Sequence, residues 1–389
     1  MKIGVFSFDG PMYKDCNGIY CNTTITDQMF ERYFEVVDKL IVVIRTYNLN
    51  ESYTEAGLHK VEMNNCEVLE LPTFSSIKGY LFDKARFSEL IDTQVERADL
   101  VFARIPSITS DIVTKSAIKK NKSYLVEVGG CAWDAYWNHG FLGKLIAPLM
   151  YFREKNAVGH ASYATYVTDR WLQNRYPTKG VSAIASNVYL PEHSEEVIRR
   201  RINCVKKITK KTKIVIGTAA AVDVRYKGQE SIIKAMSIMI RKGYDLHYEM
   251  IGVGDFKYLS SIAKKFNIED RVTHKGILVK KDVFKWLDDI DIYAQPSKQE
   301  GLPRALIEAM SRGLPSIGSD VAGIPELLPE EVIFKKGNVS GICNALSDLI
   351  GGDLVKHVNN NYMKSKKFNI SSLQKVRKDF FVEYMNSLK

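Results

Sequence analysis

Short runs of apolar and β-branched residues recur along this chain with helical patterns between them, and the series begins twice. The first set occupies residues 2–8, 39–44, 67–71, 100–103 and 124–128; the second occupies 213–218, 246–252, 272–275, 290–294 and 316–318. Strands that alternate with helices pair in parallel, because each return to the sheet passes through a helix on its face. In such doubly wound α/β sheets ligands sit beyond the carboxyl ends of the strands. A chain of 389 residues is too long for one small core and suits two domains. The restart sets their limits at about 1–192 and 193–370. Residues 371–389 read as a final helix with Leu373, Val376, Phe380, Tyr384 and Leu388 on one apolar face, expected to pack back on the N-terminal domain.

The balance of 55 Lys+Arg against 45 Asp+Glu gives a formal charge of +10, which favours anionic partners such as nucleotide diphosphates, anionic lipid or nucleic acid. Residues 195–213 concentrate Arg199, Arg200, Arg201, Lys206, Lys207, Lys210, Lys211 and Lys213. No aromatic residue interrupts that run to stack on bases, so it reads as a solvated connection between domains and no nucleic-acid partner is expected. The longest apolar stretches, 39–45 and 145–152, are far short of the ~20 residues of a membrane span. The first residues offer one lysine and a short apolar run, which is no secretory signal, and the chain is expected in the cytoplasm. Six dispersed cysteines without a C-x-x-C pair read as packing residues.

The segment 296–328, PSKQEGLPRALIEAMSRGLPSIGSDVAGIPELL, is the most informative. A strand ends in a loop, Gly301 permits close backbone approach, Pro303 suits a first helical turn, and residues 305–312 form a helix stopped by Gly313 and Pro315. Free backbone N–H groups at such a helix start suit a diphosphate or a polar sugar. Glu300 stands in the loop and Glu308 eight residues on.

This arrangement resembles the E-x7-E signature of the retaining GT-B glycosyltransferases, the large family 4 of group 1 type. It is similar in particular to bacterial capsule and O-antigen polysaccharide enzymes. The resemblance implies a GT-B fold, two Rossmann-like doubly wound domains facing a central cleft, with acceptor on the first and nucleotide sugar on the second. It implies that Glu300 accepts hydrogen bonds from the donor sugar, that Gly301, Leu302 and Pro303 line the sugar and phosphate, and that Glu308 holds the ribose diol. An ionised carboxylate is acceptor-only, which suits both acids to hydroxyls. In AAVDVRYKGQ, Lys227 before Gly228 matches the lysine that neutralises the leaving diphosphate, the alternative being an ordinary surface lysine. The family arginine is replaced by Ala221 or Val222, leaving Arg225 as the nearest substitute unless it points to solvent. Gly252 and Gly254 would shape the nucleotide pocket, and the turn holding Ile277 and Leu278 would meet the base. With cations in these places neither metal nor cofactor is expected.

The first half matches less sharply. Gly18 stands where a donor-phosphate loop would lie, or in a plain turn. Arg104, after the strand 100–103, would meet phosphate or form a strand-end salt bridge. Residues 129–144, GGCAWDAYWNHGFLGK, place aromatic rings beside acids as saccharide sites do, with Glu127, Trp133, Asp134 and His139 the candidates for acceptor work. A helix capped by Asp134 is the simpler account. Residues 141–155 read either as a core helix broken at Pro148 or as an amphipathic face resting on the inner membrane leaflet, where a lipid-linked acceptor would sit. Two other functions stay open: a Rossmann-type nucleotide-sugar epimerase or oxidoreductase, which would need a third glycine where Lys257 stands, and a basic nucleic-acid-binding protein.

Overall fold

The computed structural model describes residues 1–389 apart from Thr24, 73–76, His139, Tyr189 and Lys389, and apart from the side chains of Gln28, 77–86 and Lys280. The chain divides into two units, one of residues 1–167, 172–185 and 374–389, the other of 168–171 and 186–373.

The first unit is built on β1 (Ile3–Lys14), β2 (Tyr20–Asn22), β3 (Lys39–Asn48), β4 (His59–Lys60), β5 (Cys66–Leu71), β6 (Leu100–Ile105), β7 (Leu125–Val128), β8 (Tyr163–Tyr166) and β9 (Val181–Ile184). Among the described residues β5, β3, β1, β6, β7, β8 and β9 lie side by side in that order, all parallel. The short β2 and β4 add an antiparallel flap at the far end of β1. Sequence order reverses across β1, which touches both β3 and β6, so this is a doubly wound sheet with its switch point there. β1 runs six residues beyond the expected end at Phe8, with a register shift between Phe8 and Met12. β8 and β9 have no counterpart in the sequence reading. Each is four residues long, and β9 is largely exposed, so neither carries the apolar signature of a central strand.

Packing in this unit centres on Phe6, Tyr33, Phe102, Phe381 and Tyr384, all buried. Phe381 stacks on Tyr33 with ring centres 5.6 Å apart, and Tyr384 meets Phe102 edge-on. The last two belong to the terminal helix Ile370–Asn386, whose apolar face differs from the expected one. Val376 and Leu388 are exposed, whereas Arg377 is buried beside the buried Glu127 carboxylate, whose charge draws a guanidinium into a position the spacing left facing solvent.

The second unit carries β10 (Lys213–Ala219), β11 (Asp245–Ile251), β12 (Val272–His274), β13 (Ile292–Gln295), β14 (Ser316–Ser319) and β15 (Ile333–Phe334). They are parallel throughout, in the order β12-β11-β10-β13-β14-β15. The alternating burial of Ile214 and Ile216, and of Leu246, Tyr248 and Met250, shows the two-residue period of strands covered by helices. One buried polar chain is satisfied internally: the Tyr248 hydroxyl donates to Thr218 Oγ1 at 2.8 Å, and Thr218 donates to the Ala294 carbonyl at 2.8 Å.

The basic run 195–213 is not merely a connection. It forms the helix Glu195–Val205 with Ile198, Arg201 and Val205 buried at helical spacing. Arg201 donates to the carbonyls of Leu287 (2.7 Å) and Ile290 (2.6 Å), at the end of the helix Lys280–Asp289. Unpaired carbonyls at a helix C-terminus attract a cation, and that need buries a guanidinium. The helix Gly140–Gly159 is continuous through Pro148, which one of its two readings expected to break it. Of the cysteines, Cys21, Cys131 and Cys343 are buried, while Cys16 and Cys204 are exposed.

Candidate active site

β10 and β13 are neighbours in the sheet of the second unit although far apart in sequence, and the strand order reverses between them. The loops leaving their carboxyl ends therefore open a crevice at the switch point. Lys227 follows β10 and Glu300 follows β13, and the two meet there: Lys227 Nζ lies 2.7 Å from Glu300 Oε1, with both side chains mostly buried.

Gly228 makes this approach possible. It sits at φ +78°, and a Cβ there would lie 2.0 Å from the Pro296 carbonyl oxygen, so only glycine lets the Lys227 turn press against the β13 loop. The Lys298 N–H donates to the Tyr226 carbonyl at 2.6 Å, stitching the same two loops.

Two further donors converge on Glu300 Oε1. Ser297 Oγ donates at 2.7 Å and Gln295 Nε2 at 3.1 Å. Gln295 also donates to Ser297 Oγ at 2.9 Å and accepts from the Tyr293 hydroxyl at 3.2 Å. Gln295 and Ser297 are buried, so the carboxylate is held from below by a fixed polar chain running out of β13. The sequence reading missed Gln295, Tyr293 and their role. The only signal was a polar Gln ending an apolar strand two residues before a Ser.

Glu308 lies half-buried in the helix Arg304–Ser311, whose N-cap is Pro303. Burial pushes the Tyr293 phenol up, and the charges of Glu308 and Glu300 both raise it further. Gly301 accepts the Gly323 N–H through its carbonyl at 2.9 Å, fixing the loop that Leu302 continues.

The expected nucleotide loops gather at the same end of the sheet. Gly252, at φ +139°, has its would-be Cβ 2.3 Å from the Ala220 carbonyl oxygen, and its N–H donates to the Gly276 carbonyl at 2.8 Å. The Val222 N–H donates to the Val253 carbonyl beside Gly254. Ile277 is exposed, whereas Leu278 packs against the core of the unit. Arg225 is exposed with its guanidinium carbon 3.7 Å over the Tyr258 ring, so the expected arginine substitute rests on an aromatic face. The sequence also contains an Asp-x-Asp triplet, Asp289-Ile290-Asp291. It precedes β13, at the opposite end of the strand from Glu300, and Asp291 accepts the Val215 N–H at 2.8 Å.

In the first unit Gly18 occupies the turn of the β1–β2 hairpin at φ +79°, the plain turn that was one of its two expected states. Glu127 is buried and both oxygens are engaged: Oε1 by the Tyr33 hydroxyl, Oε2 by Arg32 (2.8 Å) and Arg104 (3.4 Å). Burial alone would lift this carboxyl, but Arg32, Arg104, Arg377 and the Tyr33 hydrogen bond outweigh it and hold it at about 2. Arg104 thus forms the strand-end pair that was one of its two expected states.

Trp133 and Asp134 lie in the helix Ala132–Trp137, with Trp133 stacked on Trp137 at 5.1 Å. Its N-cap is Cys131 and not Asp134, and the Ala132 N–H is taken by Glu154 Oε2 at 2.7 Å. His139 lies outside the described residues. Burial raises Glu154 to about 8, above its unfolded value near 4.3, so folding takes up a proton between those limits. That stabilisation is complete below pH ~4.3 and drains away as pH rises through about 8. Stability is expected to fall by up to ~1.4 kcal/mol per pH unit across that window from this group, and Glu154→Gln to flatten the slope. Identical pH slopes in urea titrations of both proteins would refute it.

Comparison with known proteins agrees with this geometry. Residues 213–351 match the family described as glycosyl transferases group 1. The chain belongs to that family and is a glycosyltransferase with the GT-B fold. Along almost all its length it is similar to protein CapJ of Staphylococcus aureus, at 30% identity over 391 residues, 98% of this chain and 94% of that one. Part of it is similar to the amylovoran biosynthesis glycosyltransferase AmsK of Erwinia amylovora, 35% identical over 137 residues, 33% of this chain and 34% of the relative. Among solved structures, HepE of Anabaena in complex with UDP superposes with a TM-score of 0.63 at 14% identity, covering 96% of this chain and 98% of that one. The same protein has also been solved with UDP-glucose.

Proposed function

We propose that this glycosyltransferase is a retaining enzyme of family 4 that moves a sugar from a UDP-linked donor to a saccharide or lipid-linked saccharide during polysaccharide synthesis. The observation that carries it is the Lys227–Glu300 pair at the switch point of the second unit's sheet, a cation and an acceptor-only acid within one crevice. The relatives support the substrate classes: AmsK is named for amylovoran biosynthesis, and HepE has been solved with UDP and with UDP-glucose.

In this reading residues 193–370 bind the donor and 1–192 the acceptor, with 371–389 completing the first domain. Glu300 accepts hydrogen bonds from the sugar hydroxyls, with its carboxylate aimed by Gln295 and Ser297. Lys227 stabilises the charge that grows on the diphosphate as the glycosidic bond breaks, helped by backbone N–H groups at the start of the helix Arg304–Ser311, and Glu308 takes the ribose diol. The departing diphosphate receives the proton of the attacking hydroxyl on the same sugar face, so the protein supplies positioning and charge and needs no metal of its own. The acceptor is placed at the cytoplasmic membrane surface, where a lipid-linked saccharide would be met.

A ligand that binds only the native state raises its apparent stability. Thermal-shift measurements against a panel of nucleotides and nucleotide sugars are expected to show the largest rise with UDP and one UDP-sugar. A larger rise with GDP-linked donors would move the base assignment, and no rise with any would remove the donor reading.

A further inference from the structure

The helix Gly140–Gly159 is two-faced in an unusual way. Gly143, Ala147, Met150, Glu154, Ala157 and Val158 face the unit's interior. On the opposite side Phe141, Leu142, Leu145, Leu149 and Phe152 are 76%, 63%, 63%, 56% and 64% exposed. At 100° per residue these five fall within a stripe about 100° wide, and from Phe141 to Phe152 it is about 16 Å long. So many large apolar side chains on one exposed helix face are not ordinary surface.

Charge selects among occupants. Lys144 and Lys155 are exposed and flank the same edge of the stripe, and Lys144 stands 5.7 Å from the ring of Trp137, itself 40% exposed. The helix has one acid, Glu154, buried on the opposite side, and its remaining cation, Arg153, is paired with Asp111. An exposed apolar ridge edged by lysines, with an indole at one end and no exposed acid on the helix, fits a flat anionic surface with a hydrocarbon layer beneath it. No described helix is long and apolar enough to cross a membrane, so contact of this kind lies along the surface.

We propose that this face of the helix Gly140–Gly159 seats the protein on an anionic lipid bilayer, with Phe141, Leu142, Leu145, Leu149 and Phe152 in the interfacial layer and Lys144 and Lys155 at the head groups. The proposal rests on the lipid-linked acceptor reading for its purpose, but its test does not. Full-length protein is floated with phosphatidylcholine vesicles, with and without phosphatidylglycerol. Binding is expected on the anionic vesicles only and to weaken with salt. Leu145→Ser with Leu149→Ser is expected to lower the bound fraction at least about ten-fold, because each loses a buried leucine's worth of transfer. Lys144→Ala with Lys155→Ala is expected to remove the preference for anionic lipid. The positions are exposed, so melting temperatures should stay put.

Equal flotation of the leucine variant and the parent would overturn the proposal. So would a parent that is dimeric in dilute solution and a leucine variant that is monomeric, since the stripe would then be covered by a second copy. Donor turnover with a water-soluble acceptor is measured on the same samples. A protein that floats but turns over no donor removes the transferase details and leaves the membrane face standing; one that transfers sugar but does not float removes only the membrane face.

Discussion

Glu300→Ala is expected to cut sugar transfer by about 10²–10³-fold while the protein melts within a degree or two of the parent. The substitution removes the oxygen on which Lys227, Ser297 and Gln295 converge. A carboxylate hydrogen bond to a hydroxyl contributes about 1.5–3 kcal/mol. Two of them at the lower end of that range, to a sugar that must be held while its bond to diphosphate breaks, correspond to that loss of rate. Fold stability should change little, because Lys227 keeps partial access to solvent and the neutral Ser297 and Gln295 still pair with each other. Glu300→Gln is the sharper companion: it keeps the shape but adds donors facing Lys227, and it should retain donor binding better than transfer. Steady-state rates with the donor found by thermal shift would decide, and unchanged turnover in a folded Glu300→Ala protein would end the role given to this acid.

The second large effect is on stability. Glu127→Ala is expected to destabilise the first unit by about 3–5 kcal/mol, because Arg32, Arg104 and Arg377 would be left as buried cations without their counter-charge. The same network has an acid signature. Glu127 is held at about 2, below the value near 4.3 in an unfolded chain, so its contribution is present above pH ~4.3 and is lost as pH falls through 2. Urea unfolding followed between pH 5 and 2 should show a shallower decline in the alanine variant than in the parent. Equal midpoints at pH 7 would mean that the cations find water on losing the acid.

The sequence made the second unit legible where a motif joins local signals. Glu300, Gly301, Pro303 and Glu308 sit in a strand, loop and helix whose turn residues announce themselves, and Lys227 follows a clean strand, so the elements could be read from the pattern, while their meeting in one site was implied by the resemblance to a family signature. Arg201, Arg377 and Glu127 are another matter. Each is a charged residue buried because a partner from a distant part of the chain needs it, and periodicity scores such positions as solvent-facing. β8 and β9 escaped because four residues are too few to show a period. For the helix holding Pro148 the sequence left a broken core helix and an amphipathic surface helix both open, because which stripe faces outward is set by what packs beneath it, and that only the tertiary structure supplies. The Asp289-Ile290-Asp291 triplet shows the converse: a motif's chemistry depends on which end of a strand it occupies.

Lys227 is matched with a carboxylate before any substrate arrives. A free sulfate or phosphate entering the crevice therefore meets a compensated ammonium and gains from it only by unseating Glu300. Under the proposed donor reading, a sugar diphosphate would bring hydroxyls to occupy that acid at the same moment as it brought anionic oxygens to the lysine. Selectivity against common cellular anions would then follow from mutual occupancy of two opposite charges, each relieved only by a molecule that carries both complements at once.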